Sequence, residues 1–85
     1  MAQPELRVLV KLAQPQADTS AIARLVSNRS GVTARYLAAS SPTWHALALQ
    51  CASASECEAA LQRLRDARTA FDGVERDERK RIVTP

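Results

Sequence analysis

Two acids near the end of this 85-residue chain, Glu75 and Asp77, have a type and spacing that could do chemistry. They belong to a run, Glu75-Arg76-Asp77-Glu78-Arg79-Lys80-Arg81, in which every residue is charged, and Ile82-Val83-Thr84-Pro85 follows it. In an extended strand, positions two apart share a face, so Glu75 and Asp77 point together and Glu78 points the other way. Paired carboxylates exchange protons usefully when an apolar pocket separates their pKa values, and the sequence offers no such pocket. Two carboxylates on one strand face can instead meet the unpaired N–H groups and the positive dipole end of a helix. The plainest reading of a charge run remains a solvated chain end.

Other reactive groups are few. His45 is the single histidine. It lies in an extended run, with no spacing that brings Ser or Asp beside it, and reads as structural. Glu56 and Glu58 fall on the outer face of a helix. Gly31 and Gly73 are the two glycines, too few to draw a phosphate-cradling loop. Cys51 and Cys57 are spaced C-x5-C, which is not a zinc spacing, and with His45 they supply too few ligands for a closed site. They read either as two buried thiols or as a short disulfide between a strand end and a helix start. A disulfide would favour an oxidising compartment. The expectation is a non-catalytic protein with no cofactor and no metal.

The elements that must carry these residues follow from hydrophobic period. Glu5 to Ala13 alternates, with Leu6, Val8, Val10 and Leu12 on one face, which predicts a strand. Asp18, Thr19 or Ser20 caps a short helix carrying Ile22, Leu25, Val26 and Arg29, with Ser27, Asn28 and Ser30 weakening it and Gly31 ending it. Val32 to Ala39 and Trp44 to Cys51 are two more extended runs, joined by the turn Ser40-Ser41-Pro42-Thr43 into an antiparallel hairpin. Alternation puts Val32, Ala34, Tyr36 and Ala38 on one face of the former. It puts His45, Leu47, Leu49 and Cys51 on the core face of the latter. Ser53 and Glu56 form a capping box, and Cys57, Ala60, Leu61 and Leu64 make a helical stripe that continues to about Arg68 or Thr69. A last strand begins near Phe71.

That order is β-α-β-β-α-β, the ferredoxin-like plan of an α+β domain. It predicts a four-stranded antiparallel sheet with both helices on one face and the final strand at an edge. A charged edge strand resists stray pairing with other chains. The opposite sheet face would hold Leu9, Leu37 and Trp44 with Ala46 and Ala48 between them. Large apolar groups with small ones beside them would let a partner approach closely, which makes this face a candidate docking surface.

The composition, 46% hydrophobic and 25% charged, is that of one small globular domain, with residues 78–85 as a C-terminal tail. Its size makes it marginally stable. A net charge of +3 is too small to argue for nucleic acid. The first strand has no aromatic for stacking bases, so an RNA-binding role is poorly supported. No apolar run is long enough to span a bilayer, and no membrane partner is expected. Ala2-Gln3-Pro4-Glu5 suits the start of a mature secreted or periplasmic chain whose signal peptide has been removed. A ferredoxin-like ligand-binding module of the ACT type stays open as an alternative.

Four stretches resemble the propeptide (inhibitor I9) domains of subtilisin-like serine proteases. Arg7-Val8-Leu9-Val10-Lys11 is similar to that family's first strand, often "yIVklk". Ser30-Gly31-Val32 with Arg35-Tyr36-Leu37 is similar to its helix exit and second strand, and Ala59 to Leu64 to its "aealaarLaa" helix. Phe71-Asp72-Gly73-Val74-Glu75-Arg76-Asp77 resembles its closing signature, "V-E-Y-V-E-x-D". Gly73 departs from it, standing where an aromatic is common, as does His45-Ala46-Leu47, and the cysteines are no family hallmark. The resemblance implies an intramolecular chaperone and inhibitor whose partner is the catalytic domain of a subtilisin-like protease. It implies that the open sheet face packs on two surface helices of that partner, with Glu75 and Asp77 at their N-termini. It also implies that Arg81, Ile82, Val83 and Thr84 enter the active-site cleft as an extended tail, with cleavage after Val83 or beyond Pro85. Arg76, Arg79 and Lys80 receive no role.

Overall fold

A computed structural model describes residues 4–77. The expected tail, residues 78–85 with Arg81, Ile82, Val83 and Thr84, lies outside the described residues. The order is β1 (Glu5–Leu12), α1 (Thr19–Ser30), β2 (Thr33–Ala39), β3 (Trp44–Gln50), α2 (Ala54–Asp66) and β4 (Phe71–Arg76). The strands form one four-stranded antiparallel sheet in the order β2-β3-β1-β4, so the ferredoxin-like α+β plan is found, with β4 at an edge.

Each helix forms where its capping chemistry allows. Asp18 is the N-cap of α1, its Oδ1 accepting the Ser20 and Ala21 N–H groups at 2.9 and 3.4 Å. These are donors the helix itself cannot satisfy. Gly31 ends α1 at φ 79°, a left-handed conformation open to glycine, and donates its N–H to Ser27 O at 3.0 Å. At α2 the Ser53 hydroxyl accepts the Glu56 N–H at 3.2 Å. The Glu56 carboxylate in turn accepts the Ala52 N–H at 2.8 Å, one residue further back than the usual capping box reaches. α2 ends at Asp66, before the expected Arg68, because Arg68 and Ala70 donate into a tight turn that delivers Phe71 to β4.

The core is the layer between sheet and helices. Val8, Val10, Leu12, Leu47, Leu49 and Phe71 from the strands meet Ile22, Val26, Cys57, Ala60, Leu61 and Leu64 from the helices. Burying side chains of this kind is what holds a domain of this size, and truncating one such as Leu64 to alanine costs about 2–5 kcal/mol. Cys51 and Cys57 are bonded, with Cα atoms 5.5 Å apart, and fasten the end of β3 to the first turns of α2.

Two irregularities depart from strict alternation. The register between β2 and β3 shifts at Leu37: Tyr36 pairs with Leu47, but Ala38 pairs with Ala46 and Ala39 with His45. Leu37 is the extra residue of a bulge, so Ala38 leaves the helix-side face on which alternation put it and Ala39 takes its place. On the other edge, Lys11 pairs with Gly73 but Leu12 with Phe71, which leaves Asp72 extra. The effect is that Phe71 and Val74, three residues apart, both reach the core.

Ser27 and Ser30 of α1 bond beyond their own helix. β2 is an edge strand, and the Ser27 hydroxyl accepts the Ala34 N–H at 2.9 Å while donating to Ala23 O at 2.8 Å. Ser30 is fully buried and its hydroxyl bonds the Val32 backbone. The Arg63 guanidinium donates to Ser30 O at 3.1 Å, so α2 satisfies a carbonyl at the end of α1.

Candidate functional site: the open face of the sheet

Register places the open-face residues in rows across the strands. Val8 and Val10 point to the helices, so Glu5, Arg7, Leu9 and Lys11 point away from them. Leu9 is central, with Ala46 on one side and Glu75 on the other. One row along, Arg7 stands opposite Ala48, and Ala48 opposite Arg35. The Asp77 N–H donates to Arg7 O at 3.0 Å and so carries the ladder past the end of β4. Asp77 therefore shares the open side with Glu75, about 7 Å further along. In the opposite direction Lys11 lies between Trp44 and Gly73.

The indole of Trp44 crosses that row. A Cβ built on Gly73 would stand 2.7 Å from Trp44 Cη2, although Lys11 and its whole strand lie between the two backbones. The ring must lie down across β1 to reach so far, since adjacent strands are about 4.8 Å apart. The absence of an aromatic at position 73 thus has a spatial reason: Trp44, arriving from β3, occupies its place.

The four expected docking residues fare differently. Leu9, Leu37 and Trp44 are half-buried. Ala48 is on the same face but fully buried, flanked by Arg7 and Arg35, whose long apolar stems cover a single methyl group. It offers closeness of approach and no exposed area. Among the described residues, three cations (Arg7, Lys11, Arg35) and three acids (Glu5, Glu75, Asp77) balance on this face. The cation of the β2 edge, Arg35, is 3.7 Å from Glu5, and two of the acids stand on the β4 side. Arg76, unassigned by sequence, points to the helix side opposite Val8 and pairs with Glu58 of α2.

A second feature escaped the sequence reading. A groove of about 610 Å³ opens between the start of α1 and the β2–β3 hairpin, walled by Leu12, Pro15, Ile22 and Pro42. Tyr36 and His45 stand in it with Tyr36 Oη 2.9 Å from His45 Nδ1. The nine-residue separation of this pair gave no signal: Tyr36 pairs with Leu47 and His45 with Ala39, so the two meet diagonally across the hairpin, through register and side-chain reach. Among the described residues no cluster of His, Cys, Asp and Glu could hold a metal ion, and no helix is long and apolar enough to cross a membrane.

Compared with protein-family models, curated proteins and solved structures, the chain finds no match.

Proposed function

We propose that this domain is a non-catalytic inhibitor and folding aid of a subtilisin-like serine protease, docking through its open sheet face. The observation that carries the reading is that Glu75 and Asp77 lie on the same side as Leu9 and Trp44, at the rim of an apolar centre. A carboxylate set there can meet the N-terminus of a partner helix, where it accepts unpaired N–H groups and faces the positive end of the dipole. Two acids about 7 Å apart suit two adjacent helix ends. The Arg76–Glu58 pair holds the intervening side chain on the helix side, opposite the face that carries Glu75 and Asp77. In this reading residues 81–84 follow as the segment that enters the cleft and adds to its edge as a strand.

Titration of the purified chain against a subtilisin-like protease tests the reading. Peptide hydrolysis slows at nanomolar to micromolar inhibitor, and the effect weakens when Ile82 to Pro85 are removed. A chain that slows no subtilisin-like protease at any concentration overturns it.

A ligand-binding module of the ACT type is the second reading, and the Tyr36–His45 groove favours it, since its size falls among small-molecule sites. A ligand of that groove would raise the melting temperature with concentration, and His45→Ala would abolish the rise. A panel of free amino acids that leaves the melting temperature unmoved removes this reading.

A further inference from the structure

We propose that the open sheet face is self-complementary and closes on a second copy of this chain, about a two-fold axis parallel to the strands. The proposal goes beyond docking to a protease. It concerns what the same face does when no protease is present.

The rows carry the argument. Such an axis, passing between the two central strands, lays β1 over β3 of the other copy and β4 over β2. Leu9, at the centre of the face, then meets Ala46 of the second copy, a large group against a small one, twice by symmetry. At the rim, Glu75 and Asp77 of β4 come over the β2 edge that bears Arg35. Among the described residues the face carries three charges of each sign, so these add no net charge when it closes. The other in-plane axis, perpendicular to the strands, would lay β4 on β4 and bring the acids of both copies together, which like-charge repulsion disfavours.

Trp44 permits the approach. Its ring lies down across β1 toward Gly73, so this bulky side chain does not prop the sheets apart. Sheets packed this way run about 10 Å apart with strands within about 30° of each other, so the pairing is closest at Leu9 and loosest at the corners. Four strands of about seven residues give a face of roughly 400 Å² per copy, below the standard interface size, so the dimer is weak and exchanges quickly. A weak dimer suits a face that must open to a partner, because the protease and the second copy compete for it.

Sedimentation equilibrium of the chain alone tests this without any protease, so its failure is separate from failure of the inhibitor reading. The expected result is a rise from the monomer mass toward twice that mass between micromolar and millimolar concentration. Arg35→Glu alone, and Glu75→Lys with Asp77→Lys alone, each weaken self-association at least about tenfold, since each sets like charges together at both symmetric contacts. Mixed, the two variants associate again, because each contact then pairs opposite charges. A chain that stays monomeric throughout overturns the proposal. So does a mixture that fails to recover while circular dichroism reports both variants folded. Should a charge variant not fold, Ala46→Gln at the centre decides: unchanged self-association in that variant overturns the placement of the axis.

Discussion

The ring of Trp44 fills the space above Gly73, two strands away: a Cβ at position 73 would come within 2.7 Å of Cη2 and 3.2 Å of Cζ2. A Cβ essentially never stands as close as 2.7 Å to a ring carbon, so any side chain at 73 must displace the indole. The relation predicts a change of sign. Gly73→Ala lowers stability by about 1 kcal/mol, as overpacking does. In a Trp44→Ala background the same substitution raises stability by about 0.5–1 kcal/mol, because alanine suits a strand better than glycine once the space is free. Urea unfolding of the four proteins of this cycle measures the coupling. Equal effects of Gly73→Ala in both backgrounds would mean that the ring and the glycine do not constrain each other.

The Cys51–Cys57 bond closes a short loop, and removing it frees the unfolded chain modestly. Cys51→Ser with Cys57→Ser lowers stability by about 2 kcal/mol, which in a domain of this size lowers the melting temperature by about 8–15 °C. Reductant does the same to the parent chain and nothing further to the double variant. Identical melting curves with and without reductant would remove the disulfide from the account of stability.

Ser27 is the acceptor for an outward-facing N–H of an edge strand. Ser27→Ala leaves that buried amide of Ala34 without its partner and costs about 1–3 kcal/mol. Hydrogen exchange is the direct readout: the Ala34 amide loses protection far more than the amides of β1. Unchanged protection at Ala34 would show that water replaces the hydroxyl at no cost.

If the proposed inhibitor role holds, Glu75→Ala with Asp77→Ala weakens inhibition of a subtilisin-like protease about 3- to 30-fold, from about 0.3–1 kcal/mol per helix contact. Its melting temperature stays close to that of the parent, since neither acid reaches the core. Undiminished inhibition by the double variant would separate the acids from the interface.

The charged pair Arg76–Glu58 is partly exposed, with Arg76 at 31% and Glu58 at 58%. Its energetic weight is correspondingly small. Glu58→Ala changes stability by no more than about 1 kcal/mol, and any larger loss in a thermal melt would assign Glu58 a packing role that its exposure does not suggest.

Much of the fold was legible because local patterns and global packing agree. Val8, Val10 and Leu12 alternate as a half-buried strand must, and the stripe from Cys57 to Leu64 keeps helical period. Asp18, Gly31, Ser53 and Glu56 mark helix ends through chemistry that acts within a few residues. The element order and the shared face of Glu75 and Asp77 follow from such short-range rules, and the edge position of β4 from the usual strand order of the ferredoxin-like plan. Where the reading failed, the cause was non-local. Leu37 bulges, and so moves Ala38 and Ala39 between faces, because of how β2 meets β3. Ser27 and Ser30 are poor helix residues in isolation, yet the Ser27 hydroxyl serves β2 and the Ser30 hydroxyl the backbone of Val32 that leads into it.

The sequence by itself determined the elements, their order, and that Glu75 and Asp77 share one strand face, because period and capping are properties of a few neighbouring residues. The tertiary structure alone decided that Trp44 fills the place above Gly73, that Tyr36 meets His45 in a groove, that Arg76 is held by Glu58, and that Ala48 is buried. Each of these depends on register and on the reach of a side chain across strands that are distant in sequence. No local pattern encodes a distance of that kind.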